Sequence, residues 1–313
     1  MSRTERLATY ALALASSVSA VAGARSAAPA RQIPVFKGGV DVVNVGVTVT
    51  DRKGNLVTGL TAADFDVTED GRQQKVTYFA SGLPASDGPE LHLGLLLDVS
   101  ESMGDDIRFT RTAAIKFLNT LTTAVDVTVV DFDTQVRLSR YGQSEFARLI
   151  ERIRQQKTQG DTALYDAIGL YLDEASSQSG RKIMLLYTDG GDTRSALKLG
   201  PLMDLLKASD ATIYVIGELE HQSAAARGSQ RLILQQIADA TGGQAFFPID
   251  VKSLDAVYDR VLAEIRAQYI VGYQSTNAVM DGGWRKVDVR MTRKDGRDLR
   301  VRARKGYYAL KRP

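Results

Sequence analysis

Cysteine is absent from the 313-residue sequence, which excludes disulfides, thiolate metal sites, iron–sulfur clusters and thiol nucleophiles. Only two histidines occur, His92 and His221, too few for an imidazole-rich zinc centre. One lies inside an apolar run and the other in a polar loop, and both read as structural or solvent-facing. Neither sign of charge dominates: the formal net charge is +3. The basic excess of a nucleic-acid-binding surface is therefore missing. No phosphate loop of the Gly-x4-Gly-Lys-Ser/Thr type occurs, nor a Gly-x-Ser-x-Gly elbow. Beyond the first 28 residues no apolar stretch is long enough to span a bilayer.

The amino terminus has the pattern of an export signal. Arg3 and Arg6 give a positive start, Leu7 to Val21 is small and apolar, and Ala22-Gly23-Ala24 fits a small-x-small cleavage site. Removal of residues 1–28 lowers the formal charge to +1. The expected location is periplasmic, cell-envelope or extracellular.

Three regimes follow. Residues 34–88 read as all-β: Val42 to Thr50 is β-branched and partly alternating. Asp70-Gly71 between Phe65–Thr68 and Lys75–Phe79 is a hairpin signal, in a unit of about four strands. Ser81 to Pro89, rich in proline, glycine and serine, breaks the pattern. Residues 89–267 then alternate strand and helix. Strands are expected at Leu91–Leu97, Val125–Phe132, Val136–Arg140, Lys182–Thr188, Thr212–Ile216 and Gln244–Phe247. Helices are expected at Asp106–Leu121, from Ser144, and at Ala163–Ala175, Leu202–Ala208, Arg231–Ala240 and Leu254–Ile265. Such alternation implies an α/β fold, a doubly wound and mostly parallel six-stranded sheet with helices on both faces. Residues 268–313 alternate again, with Asp281-Gly282 and Asp295-Gly296 as hairpin turns and arginines along one wet face. Neither flank has enough strands to stand alone. The economical solution is one β-sandwich formed by the N- and C-terminal flanks, into which the α/β unit is inserted.

The chemistry gathers at strand ends. The run Leu91–Leu97 stops at Asp98-Val99-Ser100-Glu101-Ser102, a carboxylate and two hydroxyls of the hard-oxygen type that suits Mg2+. Asp98 alone reads equally well as a cap for the next helix. Two further features share this setting: Thr162 in Gly160-Asp161-Thr162-Ala163-Leu164, and Asp189 in Tyr187-Thr188-Asp189-Gly190-Gly191-Asp192. In open α/β sheets ligands collect outside the carboxyl ends of strands. Glu101, Asp105, Asp106, Asp161 and Asp192 border the site and read as solvated or capping groups. Asp131 and Asp133, at another strand end, read as structural.

In this order, the three motifs over residues 91–267 resemble the von Willebrand factor A-type domain family and match every position of its metal-ion-dependent adhesion site. The resemblance implies that Asp98, Ser100, Ser102, Thr162 and Asp189 hold a divalent cation, Mg2+ or else Mn2+ or Ca2+. It also implies that an Asp or Glu of a protein partner completes the coordination. The flanks, Val42–Phe79 and Tyr269–Tyr308, resemble exported bacterial proteins described as VWFA-related, of the type frequent in acidobacteria. The resulting expectation is a non-enzymatic, adhesion-type binding module. The alternatives are a scaffold subunit of a cell-envelope assembly with a purely structural metal, or a Mg-dependent hydrolase or phosphotransfer protein. Ser100 and Ser102 have no placed histidine base, and no adjacent pair of acids ends a strand before Asp98, which counts against the last.

Overall fold

The computed structural model describes residues 42–82, 89–104, 107–120, 123–292, 298–309 and 311. The expected export signal, Asp105, Asp106, Leu121 and the Asp295-Gly296 turn lie outside the described residues.

The first flank supplies β1 (Val42–Thr50), β2 (Phe65–Glu69), β3 (Arg72–Gln74) and β4 (Val76–Ser81). Asp70 and Gly71 both have positive φ, 48° and 79°. They make the tight two-residue turn whose twist matches paired strands. The strand they join to β2 is β3, with Arg72 opposite Glu69. The expected partner, Lys75–Phe79, crosses instead to another sheet. A two-residue turn brings the very next residues into register, so the apolar segment beyond Gln74 is left free to pair elsewhere.

The middle of the chain begins with β5 (Leu91–Asp98), α1 (Ile107–Thr120), β6 (Asp126–Phe132), β7 (Val136–Gly142), α2 (Phe146–Gln155) and α3 (Leu164–Ser176). It continues with β8 (Arg181–Thr188), α4 (Leu199–Ala208), β9 (Thr212–Gly217), α5 (Ala224–Ala240), β10 (Gln244–Phe246) and α6 (Val251–Ala267). The sheet runs in the order β10-β9-β8-β5-β6-β7, parallel except for the last pair. One face carries α1, α2 and α6 over Leu91, Leu93, Leu95 and Leu97; the other carries α3, α4 and α5 over Leu96, Met184 and Leu186. Cover on both faces is why the middles of β5 and β8, Leu93–Leu97 and Ile183–Tyr187, are continuous apolar runs rather than alternating. Helix α5 starts seven residues before the expected Arg231. Its first turns consist of small and polar residues, none of them buried, and only Leu234, Ile237 and Ala238 are buried, so apolar periodicity marks its second half alone.

The second flank adds β11 (Tyr269–Gln274), β12 (Trp284–Met291), β13 (Arg300–Ala303) and β14 (Gly306–Tyr308). The eight flanking strands form two antiparallel sheets, β13-β1-β11-β4 and β14-β12-β2-β3. Val45, Val47, Val67, Val271, Val287 and Val289 share one core between them. This is the expected sandwich drawn from both flanks. Strand β4, which leads into the α/β unit, pairs with β11, which leads out, Ser81 opposite Tyr269. Asp281-Gly282 turns the chain, but β11 and β12 belong to different sheets, so the expected hairpin there is a crossover.

The sandwich grips the amino ends of the parallel strands. Arg181, first residue of β8, donates to Gln268 Oε1 at 3.1 and 2.8 Å, to the Ile265 carbonyl at 2.6 Å and to the Gly82 carbonyl at 3.2 Å. Arg302 pairs with the fully buried Glu264 and donates to Gln244 Oε1, and Arg304 donates to the Ser209 and Asn44 carbonyls. The expected wet arginine face is therefore partly an internal joint: these guanidiniums satisfy acceptors that a bare sheet end leaves open.

Gly94 lies at the centre of β5, where an added Cβ would sit 2.2 Å from Tyr171 Cε2 of α3. Gly94→Ala should lower the urea midpoint, with a loss of roughly 1–3 kcal/mol for an overpacked core. The double variant Gly94→Ala/Tyr171→Leu should recover part of that loss. Additive losses in the two variants would show that the two sites do not share this contact.

Candidate metal centre

The sheet order places β6 on one side of β5 and β8 on the other. The chain thus changes direction about β5, and the crevice at the carboxyl ends of β5 and β8 is the switch point. Asp98 ends β5 and Asp189 follows the last residue of β8; the two strands are in register up to Leu97 opposite Tyr187.

Asp98 is completely buried. Its Oδ1 accepts from the Ser100 amide at 3.0 Å and the Ser100 hydroxyl at 2.5 Å, and its Oδ2 from the Thr188 hydroxyl at 2.6 Å. Ser100 Oγ lies 3.1 Å from Ser102 Oγ, so the two serines converge on the carboxylate. Asp189 is 4% exposed; its Oδ1 accepts from the Gly191 amide at 3.3 Å and its Oδ2 from Gln222 Nε2 at 3.0 Å.

Thr162 is held from both sides. The Asp161 amide donates to Thr134 Oγ1 and the Ala163 amide to the Asp133 carbonyl, both at 2.9 Å. The Thr162 amide donates to Thr193 Oγ1 at 3.0 Å, and the Thr162 carbonyl accepts from the Thr193 and Arg194 amides. Its loop is also bonded to the first, through Gln159 N to the Val99 carbonyl at 2.8 Å and Glu101 N to the Gly160 carbonyl at 3.0 Å. Gly160 makes this turn with φ 70°, a backbone conformation that side chains resist. Thr162 itself is buried. The three loops that carry the five predicted residues are thus one hydrogen-bonded rim.

Burial, and then the neighbouring Asp189, push the Asp98 carboxyl up to about 7, against the pull of the Ser100 and Thr188 hydrogen bonds. Among the described residues no cationic side chain pairs with either carboxylate. Two buried acids without a cation are costly. A hard divalent ion is the group that this donor set fits: two carboxylates, three hydroxyls, no nitrogen and no sulfur. No cluster of three or more His, Cys, Asp or Glu side chains occurs among the described residues, so protein carboxylates alone would not complete a coordination shell.

The neighbours take the structural roles expected of them. Asp131 pairs with Arg137 and Arg152, and Asp133 with Arg137. Asp192 accepts from the Tyr165 amide in the first turn of α3, and Glu101 and Asp161 are exposed. Both ring nitrogens of His92 are engaged, with Asp126 and the Ser179 carbonyl. Thr188 and Gln222 are site residues that motif reading missed. Thr188 was legible as the strand residue beside Asp189, whereas Gln222 arrives on the β9–α5 loop with no sequence signal.

A family model described as the von Willebrand factor type A domain matches residues 92–260. No curated protein sequence matches the chain significantly. Among solved structures, the chain is similar to the PilB minor pilin from Streptococcus sanguinis, at 12% identity over 58% of this chain and 63% of the pilin, TM-score 0.48. It is similar to a von Willebrand factor type A protein from Catenulispora acidiphila, at 15% identity over 88% of this chain and 76% of that one, TM-score 0.47. The pilus adhesin SpaC from Lactobacillus rhamnosus GG, in its open conformation, matches at 10% identity over 79% of this chain and 48% of the adhesin, TM-score 0.49. The chain spans less than two thirds of the length of the pilin and of the adhesin.

In metal-free protein, Asp98 holds its proton more tightly when folded than when unfolded, where its value is near 3.8. Between about pH 4 and 7 the native state therefore binds more protons, and this group's contribution to stability falls as pH rises through that window. In EDTA, Asp98→Asn should be more stable than the parent at pH 8, by on the order of a few kcal/mol, and melt higher, with the gap closing towards pH 4. Equal melting of the two proteins at both pH values would remove the unpaired-charge account.

Proposed function

The chain belongs to the von Willebrand factor type A domain family through residues 92–260, and from that premise and the rim geometry we propose an exported, metal-dependent, protein-binding module. The observation that carries this is the pair of buried carboxylates at the switch point, ringed by hydroxyls and lacking a cationic partner. Asp98, Ser100, Ser102, Thr162 and Asp189 would hold the ion, Mg2+ or else Mn2+ or Ca2+. When bound, the ion supplies an electrophilic point that an acidic oxygen of a partner protein can reach.

The protein's own groups do the rest. The Thr188 hydroxyl and the Ser100 amide orient the Asp98 carboxylate, and Gln222 orients Asp189. The Asp133–Thr134 turn and Thr193 hold the Thr162 segment against the first loop. The sandwich grips the opposite end of the sheet, so the rim faces away from it. The eight residues of β8 put about 25 Å between the Arg181 joint and the rim. A non-enzymatic role is supported by the family match; the serine hydroxyls are turned to each other and to Asp98, an arrangement that suits holding an ion. Export rests on the residue 1–28 pattern. No helix among the described residues is long and apolar enough to cross a membrane.

Calorimetry should detect one Mg2+ per chain, and saturating Mg2+ should raise the melting temperature, since an ion bound only by the native state stabilises it by mass action. Asp98→Ala and Thr162→Ala should each abolish that shift and, with it, EDTA-sensitive capture of proteins from the producing cell's envelope fraction. Absence of divalent-ion uptake by the parent protein, or capture unaffected by Asp98→Ala, would refute the proposal.

A further inference from the structure

Helix α1 leaves the rim and runs back along the sheet, and along it lies a groove of about 460 Å³ that none of the predicted residues lines. Its walls are Arg108, Arg111, Thr112 and Ile115 of α1 and Arg154 of α2. The α1 residues follow the i, i+3, i+4, i+7 spacing of a single helix face. Over those seven steps the helix rises about 10 Å. Both contributing segments lie at the site end of the sheet. Arg108 is in the first turn after the Ser100–Ser102 loop, and Arg154 is in the last turn of α2, just before the Gln159–Thr162 segment.

Three guanidiniums thus line one concavity, with little opposing charge among the described residues. Arg154 is 3.7 Å from the exposed Glu151, a loose pair. Arg111 donates to the Gln156 carbonyl, and its Nε is buried without an acceptor. Arg108 is exposed and has no acidic partner among the described residues. Guanidinium forks match carboxylates geometrically, and pairing them with a charged acceptor is stronger than a neutral hydrogen bond. Ile115 gives the floor an apolar spot for a side-chain stem.

We propose that this groove is a docking site for an acidic stretch of the partner polypeptide, next to the acidic residue offered to the rim. The inference rests on the protein-binding reading above and names the chemistry of its partner. An extended chain advances about 3.3 Å per residue, so acids a few residues along from the one at the rim would follow the groove. An acidic peptide is favoured over a free anion because Arg108 and Arg111 follow one another along a helix that begins at the rim, with Arg154 of α2 lining the same groove, so the cations form an extended track.

The test is fluorescence anisotropy with a labelled, capped hexaglutamate peptide at low salt, in Mg2+ and in EDTA, against a hexaserine control. The variant is Arg108→Ala/Arg154→Ala, both exposed positions, with an unchanged melt as the check on folding. Binding should be weakened about 10-fold or more in both buffers, with Mg2+ uptake unaltered. Loss in the double variant, together with indifference to EDTA and to Asp98→Asn, would support the groove while counting against metal-dependent capture. The proposal is overturned if the parent does not bind hexaglutamate, or if the double variant binds it equally well. It is also overturned if inorganic phosphate or phosphatidylglycerol vesicles bind through these arginines while the peptide does not.

Discussion

An aspartate is buried beside another aspartate at the switch point of a parallel sheet, with only hydroxyls and an amide for partners. The rest of the architecture makes that placement possible. Parallel strands need crossovers on both faces, and this cover excludes water from the sheet, leaving only the strand ends open. Because β6 and β8 lie on opposite sides of β5, the loops after β5 and β8 diverge and leave a crevice between them. Hydroxyls satisfy the Asp98 lone pairs without neutralising its charge. The site is therefore stable enough to form and still short of positive charge.

The same economy appears at the other end of the sheet, with the opposite outcome. There Glu264 is also fully buried, but Arg260 and Arg302 neutralise it, and Arg181 satisfies Gln268 and two carbonyls. Paired charges make a rigid joint, and the unpaired one is where the proposed ion would sit. In the sandwich, Glu69 takes a third course: it accepts from the hydroxyls of Tyr273, Tyr307 and Ser275, which tie strands of both sheets together.

Much of this was legible in order along the chain. The uninterrupted apolar runs before Asp98 and Asp189 announced strands covered on both faces, and the Asp-x-Ser-x-Ser, Thr162 and Asp189 features stood at strand-to-helix junctions. Less legible were features whose cause is another segment. The start of α5 carries no apolar stripe because it packs little, and the β2–β3 pairing depended on which strand claimed Val76–Phe79. Arg302 and Arg304 alternate as solvent-facing residues do, yet a buried glutamate and open carbonyls recruit them from elsewhere in the fold.

The sequence by itself determined the kinds of donor available, through the absence of cysteine, the scarcity of histidine and the acids and hydroxyls at strand ends. It also determined the two-part architecture, because hydrophobic period reports directly which faces are buried. Only the tertiary structure decided which acids remain without a counterion. Asp98 ends one apolar strand and Asp131 is the last residue but one of its neighbour, but Arg137 and Arg152 reach Asp131 and no cation among the described residues reaches Asp98. Charge compensation depends on distances between segments remote along the chain, and those distances exist only once the sheet has assembled.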